Sequence, residues 1–246
     1  MMPKFILILG DSFRHRLFCY LIQSSGLHPD GIVVISSKSF ISRCRNAPTS
    51  TFFSSIQSMF EFLKMPFLAL KTRNRFKEVQ HIVVSDVNHH SVFNLINSAQ
   101  PDLVFVYGSN VIKKRLLSIE TLWLNAHGGV LPGYRGLDSN VWAISDGRFD
   151  CVGFTIHKVS SQLDAGEIFI KEVIPVYSLL GLLFIRLDIA IKLSNLVKTL
   201  LRERSALDSI RFSPNHVGFS IYRSHITLFP LTLSVFNILR KGLNNC

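Results

Sequence analysis

Short apolar runs separated by polar, helix-compatible stretches set the rhythm of this chain. Lys4–Leu9 and Gly31–Ile35 (GIVVI) read as strands bounded by Gly, Asp or Ser, and Arg16–Gln23 between them has helical spacing. The rhythm breaks over residues 38–78, rich in Ser, Phe, Lys and Arg. There Ser55–Leu70 keeps helical spacing with Pro66 interrupting it, and the stretch reads as an insertion. It resumes with a strand at His81–Val84 and a helix over Val92–Ser98 for which Asn88 is a suitable N-cap. Next come Leu103–Tyr107 (LVFVY), a basic helix around Val111–Leu117 and a strand at Trp123–Asn125. Apolar runs alternating with helices predict an α/β fold, a Rossmann-like and mostly parallel sheet flanked by helices. Beyond residue 177 the pattern becomes one long helix, Leu179–Arg204, and a short apolar tail. The expected division is a main domain over 1–177 and a short C-terminal helical extension over 178–246.

Composition raises a membrane question. The 246 residues are 48% hydrophobic, with a mean hydropathy of +0.30. A spanning helix needs about 20 predominantly apolar residues. Ser178–Ile191 is cut by Arg186 and Asp188, and Ile226–Leu239 is short and carries Pro230. The N-terminal run Phe5–Leu9 falls below the roughly 7–15 residues of a signal-peptide core. Neither spanning nor export is expected. Cys19, Cys44, Cys151 and Cys246 lie far apart without a CxxC pair, which fits reduced thiols in a cytoplasmic protein and proposes no zinc site. His89-His90 lacks further ligands at spacing and opens a helix, so no metal is expected.

The net charge is +11, from 27 basic and 16 acidic residues. Basic clusters at Arg14–Arg16, Lys38–Arg45, Lys64–Lys77, Lys113–Arg115 and Lys198–Arg204 favour an anionic partner. The candidates are a phosphorylated substrate, a polyanionic cofactor, nucleic acid or an acidic bilayer. The segment from Gly10 (GDSFRHR) is neither a GxGxxG nor a Walker loop, so a dinucleotide site is unsupported.

The chemistry concentrates between Leu124 and Ile168. Asn125 and His127 stand two apart at a strand end and share one face. Gly128, Gly129, Pro132, Gly133 and Gly136 follow in a loop closed by Tyr134-Arg135-Gly136. A helix over Asp138–Ser145, a strand over Gly153–His157 and a loop over Gln162–Gly166 carrying Asp164 complete the stretch. An amide, an imidazole and a carboxylate brought together can polarise a carbonyl and move a proton.

The joint pattern of Asn-x-His, Leu-Pro-x-x-Arg-Gly, a Trp-Ala-Ile helix, Thr-x-His and Leu-Asp-x-Gly-x-Ile resembles the folate-dependent formyltransferase family. The likeness is close over Pro101–Pro175 and looser before it. It implies that 1–177 is the catalytic domain and that Asn125, His127 and Asp164 are the catalytic trio. It also implies 10-formyltetrahydrofolate as formyl donor and a primary amine as acceptor. The pterin is expected between the Tyr107–Asn110 turn and the loop before Asp164, with Tyr107, Gly108, Leu131, Pro132 and His157 as donor contacts. Arg14 and Arg16, suited to a diphosphate, are expected with Tyr134 and Arg135 at the acceptor.

Two departures bear on that acceptor. The family's His-Pro-Ser-Leu-Leu-Pro loop is His127-Gly-Gly-Val-Leu-Pro132 here, and the purine-pathway phosphate loop is replaced by Asp11-Ser12-Phe13-Arg14-His15-Arg16. A nucleotide-linked amino sugar used in surface polysaccharide synthesis is the expected acceptor, with no nucleic-acid partner. Methionyl-tRNA fits less well, because enzymes of that subgroup carry a further C-terminal domain of roughly a hundred residues. Glycinamide ribonucleotide, formyl hydrolysis, a homodimer, and a binding scaffold lying on an anionic bilayer through 38–78 and Ile226–Leu239 stay open.

Overall fold

A computed structural model describes residues 2–36, 46–67, 72, 81–216, 221–223 and 225–244. Strand β1 (Phe5–Gly10) is apolar along its length and buried on both faces, the signature of a central parallel strand. It lies between β2 (Gly31–Ile35) and β4 (Leu103–Tyr107), with β3 (His81–Val84) outside β2 and β5 (Leu122–His127) beside β4. All five are parallel. β7 (Gly153–Lys158) and β8 (Ile168–Val173) then extend the sheet antiparallel from β5, in the order β3-β2-β1-β4-β5-β7-β8. β6 (Tyr134–Gly136) pairs separately with β9 (Ile221–Arg223).

Alternation along the strands divides the core. Leu7, Leu9, Phe105, Leu124 and Ala126 pack on one face with α1 (Phe13–Gln23), α5 (Ser139–Ser145) and α6 (Leu179–Leu201). Ile6, Ile8, Val104, Val106 and Trp123 pack on the other with α3 (His90–Ala99) and α4 (Lys114–Leu117). In α6, Leu182, Ile185, Ile189, Leu193 and Val197 repeat every three to four residues and face the core. Two of its charges are partnered by α2 (Pro48–Lys64): Arg186 pairs with Glu61 at 3.3 Å and Asp188 with Lys64 at 3.9 Å. Among the described residues no helix is long and apolar enough to cross a membrane.

Three local expectations are corrected. α3 is capped by His89, whose Nδ1 accepts from Ser91 N–H, because Asn88 is engaged with Asp86, the Val111 carbonyl and the Lys113 N–H. The helix expected over Val111–Leu117 is the single turn of α4. The long helix stops at Leu201, with the short α7 (Arg204–Asp208) after it. Of the expected insertion, α2 and residues to 67 are described, whereas Lys38–Arg45 and Lys71–Lys77 apart from Thr72 lie outside the described residues. The apolar tail forms α8 (Leu228–Asn244) and docks on α5. The Ser234 hydroxyl donates to Val141 O at 2.9 Å, and the Asn237 amide donates to the Ile144 and Ser145 carbonyls at 3.0 Å.

One buried group predicts acid sensitivity. His15 is wedged against Gly10 and Gly108, edge-on to Tyr107, with Nδ1 on the Ser12 hydroxyl at 2.9 Å and Nε2 unpartnered. Burial first, then Arg14, Arg186 and Arg16, hold its pKa well below the ordinary histidine value. The unfolded chain therefore takes up a proton near pH 6.5 that the fold refuses, and stability falls as pH drops below that point. The limiting slope is about 1.4 kcal/mol per pH unit for one proton. Thermal melts from pH 8 to pH 5 should show a declining Tm, with a shallower decline in His15→Gln; parallel declines would exclude His15 as the cause.

Candidate active site

β5 and β7 run side by side with Asn125 opposite His157 and His127 opposite Thr155. Asn125 and His127 leave the same face of β5, and the register places His157 Nε2 3.0 Å from Asn125 Nδ2. The loop between β7 and β8 supplies the carboxylate. Asp164 has φ +49, a left-handed conformation that Asp and Asn adopt more readily than other non-glycine residues. Its Oδ2 lies 3.3 Å from His127 Nδ1 and accepts from Gly136 N–H at 3.0 Å, while Oδ1 lies 3.6 Å from His157 Nε2.

The Asp-x-Gly spacing has a steric reason. Gly166 lies against β7 so closely that a Cβ would stand 1.8 Å from the Lys158 carbonyl oxygen. Gly166→Ala must push away the loop that aims Asp164. A loss of about 2 kcal/mol or more in denaturant melts is expected, together with loss of the site; a variant as stable as the parent would refute this close packing.

The electrostatics of the cluster are set by burial and by its acceptors. Burial lowers the pKa of His127, while Asp164 and the Tyr134 carbonyl, 2.9 Å from Nε2, work in the opposite direction. Both ring nitrogens thus face acceptors, an arrangement fully satisfied only when the ring is doubly protonated. Burial works to raise the pKa of Asp164. The neighbouring His157 ring, the charge of His127 and the Gly136 N–H outweigh it and bring the carboxyl to about 2. Asp164 is therefore an anion at neutral pH. His157 Nδ1 lies 2.7 Å from Lys158 O, so this nitrogen carries the proton of the neutral ring and Nε2 accepts from the Asn125 amide.

Beyond the carboxyl ends of β4 and β5 a cleft of about 430 Å³ opens onto this cluster. Asn125, His157, Asp164 and Gln162 offer polar atoms, and Val106, Val111, Ile112, Val159 and Leu163 form apolar walls. Its mixture of apolar walls and a few convergent polar groups is that of a small-molecule site. His127 lies behind Asp164, buried, and does not line the cleft.

Asn125, His127, Asp164 and His157 thus come together. Tyr107 does not line the cleft; it packs on the other face against His15 and Phe18, where Gly108 also abuts the His15 ring. Ser109–Ile112, just beyond them, form the wall instead. Leu131 is buried, joined to Pro132 by a cis peptide, and its N–H is held by Thr155 Oγ1 at 3.0 Å. Tyr134 is buried with its hydroxyl on Asp146 at 2.8 Å, so its side chain faces the interior rather than a substrate. Arg135 is likewise taken up internally, reaching Leu163 O and Asn215 Oδ1. Arg14 and Arg16 lie half-buried at the start of α1, Arg14 beside Tyr107 and Arg16 donating to Asp11 O.

Asn215 escaped sequence reasoning. Its amide donates to Asp164 O at 3.0 Å and Gly166 O at 2.9 Å, clasping the loop from 49 or more residues away. No local spacing signals it. Ser109 and Asn110 belong to the Tyr107–Asn110 turn expected beside the pterin, and Val111 and Ile112 could have been found from the rule that ligands sit past the ends of parallel strands.

The sequence profile of the formyl transferase family matches residues 21–180, well over half of the chain. The chain belongs to the formyl transferase family. The solved structures similar to this family member include a sugar N-formyltransferase from a Shewanella species, 15% identical with a TM-score of 0.59 over 96% of this chain and 88% of that one. A phosphoribosylglycinamide formyltransferase from Anaplasma phagocytophilum is 15% identical, TM-score 0.59, over 91% of this chain and all of that one. A third is WlaRD, a sugar 3N-formyl transferase crystallised with dTDP and 5-N-formyl-THF, 16% identical, TM-score 0.57, over 98% of this chain and 80% of that one. At such identities the likeness extends to the fold. Gly129 stands where the family carries Ser, and a Cβ there would lie 2.8 Å from Ser139 Cβ, so the loop is too tight for the side chain.

Proposed function

We propose that this protein transfers the formyl group of 10-formyltetrahydrofolate to the amine of a nucleotide-linked amino sugar. The observation that carries the reading is the Asp164 carboxylate held between His127 and His157 with Asn125 at the cleft. The apolar walls suit a flat heteroaromatic ring, and Asn125, Gln162 and the backbone of Ser109–Ile112 supply hydrogen-bonding groups around it. The donor, when bound, supplies a formyl carbon activated by its nitrogen.

Asn125 Nδ2 has one N–H engaged by His157, and its second is free to meet the oxygen on which negative charge develops. The proton the attacking amine must lose passes by way of Asp164, which lines the cleft, to the buried His127. His127 becomes the double donor from which Asp164 and Tyr134 O both accept. Asp164, ionised again, stabilises that cation. The bond from the formyl carbon to the donor nitrogen then breaks, and that nitrogen leaves with the proton as tetrahydrofolate. The half-buried Arg14 and Arg16 at the start of α1 are the candidates for the acceptor's phosphates. The names of the Shewanella enzyme and WlaRD support the sugar over other amines.

His157 acts as a positioning residue for Asn125 through its own Lys158 contact. His157→Phe should reduce kcat about tenfold or more while the KM for the amine acceptor shifts little; an unchanged kcat would remove it from this role. The acceptor is tested by kcat/KM for a panel of dTDP-, UDP- and GDP-linked 3-amino and 4-amino sugars beside glycinamide ribonucleotide and methionyl-tRNA. Turnover confined to the amino sugars is expected. Turnover confined to either of the others would overturn the assignment.

A further inference from the structure

Helix α2 is amphipathic in the reverse sense. Its inward side is polar: Ser50, Thr51, Gln57 and Glu61 are buried, with Phe53 the one large apolar residue among them. Arg186 of α6 bonds Ser54 Oγ at 2.7 Å, Ser58 Oγ at 3.2 Å and Glu61 Oε1 at 3.3 Å, and Gln57 Nε2 donates to Leu182 O at 2.9 Å. Several large apolar residues are turned outward, although Phe60 packs against Phe184 of α6. Phe52 is 67% exposed, Met59 53%, Leu63 62% and Phe67, just past the helix, 82%. Large apolar side chains gathered on one exposed helix face mark a binding surface, because water would otherwise have driven the helix to roll over. The Arg186 network prevents that roll.

Exposed apolar residues recur on the neighbouring elements. Leu180 at the start of α6 is exposed, two residues before Leu182, whose carbonyl Gln57 holds. Leu228, Phe229, Phe236 and Leu239 of α8 are exposed as well, and α8 is tied to α2 at its start. Ser50 and the Ile226 N–H both bond Asp138 Oδ2, at 2.7 and 2.9 Å, and Lys241 at its other end sits over Tyr177, just before α6.

Charge selects what covers this face. The one carboxylate of α2, Glu61, is buried against Arg186. In sequence, α2 is flanked by Lys38, Arg43 and Arg45 before it and Lys71, Arg73, Arg75 and Lys77 after it, with Glu78 the single acid among them. Two copies of a chain carrying +11 repel each other, whereas an anionic surface attracts it. Aromatic and aliphatic side chains on one helix face, bordered by Lys and Arg, are the composition of a helix lying in a lipid interface.

We propose that the outward face of α2, extended by α6 and α8, rests on an anionic lipid bilayer. The contact is peripheral and does not depend on the formyl-transfer reading. It is tested by co-sedimentation of the full chain with phosphatidylcholine vesicles with and without roughly 30% phosphatidylglycerol, in low and high salt. Pelleting with the anionic vesicles, weakened by salt, is expected. The triple variant Phe52→Ser, Met59→Ser, Phe67→Ser should lose about tenfold or more of that binding with its Tm retained, because each of these side chains is more than half exposed. Failure to pellet with anionic vesicles, or undiminished pelleting of the folded triple variant, would overturn the proposal. So would a parent that is dimeric in sedimentation equilibrium and a triple variant that is monomeric, which would assign the face to a second copy.

Discussion

Asp164→Asn is expected to fold and to lose formyl transfer by roughly 10³-fold or more in kcat. Asparagine is chosen because it keeps the left-handed backbone at φ +49, where alanine would add strain to the loss of charge. The amide removes the anion that stabilises a protonated His127 and places an N–H donor where His127 needs an acceptor. The carboxyl's pKa of about 2 also makes it a stabilising group. A carboxylate depressed from its unfolded value near 3.8 stabilises the fold above that pH, and the contribution is lost as pH falls through 2. At neutral pH the variant should thus be less stable by at most about 2 kcal/mol, read as a Tm lower by several degrees. Parent-like turnover in a folded Asp164→Asn protein would remove Asp164 from the chemistry.

The second large effect is at Asn125. With Asp164 and His157 it lines the cleft, and its amide is already oriented by His157; on the proposed reading its contribution belongs to the transition state rather than to donor binding. Asn125→Ala should lower kcat by roughly 10²–10³-fold, the usual cost of deleting one preorganised oxyanion donor, and change the donor KM little. A rise in KM with kcat intact would make Asn125 a binding residue.

The parts of this architecture that could be read from the amino-acid order are those whose cause is local. Phe5–Leu9 is apolar without interruption because β1 is covered on both faces. Asn-x-His is a pattern of period two on β5, and Asp164-Ala165-Gly166 records a left-handed turn followed by a backbone packed on β7. Properties decided at long range were not legible. Asn215 clasps the Asp164 loop from a segment of no regular spacing. Tyr134 and Arg135 sit in a glycine-rich loop that looks ready to meet a ligand, yet Asp146 and Asn215 draw both side chains into the protein. Helical spacing over Ser55–Leu70 predicted a helix but not which side faces in. That was decided by Arg186, more than a hundred residues away in α6, whose charge had to be satisfied by Ser54, Ser58 and Glu61. The same charge, read at first as an interruption of an apolar run, is what turns Phe52 and Met59 to the outside.

The central claim is that this cluster moves a formyl group onto an amine rather than onto water. Carbon-13 NMR of the purified chain with [¹³C-formyl]-10-formyltetrahydrofolate and the preferred amino-sugar nucleotide tests it most directly. One amide-linked formyl carbon should appear on the sugar for each formyl carbon lost from the donor, and neither change should occur in Asp164→Asn. Release of free formate without amide, or an unchanged donor spectrum with every amine offered, would contradict it.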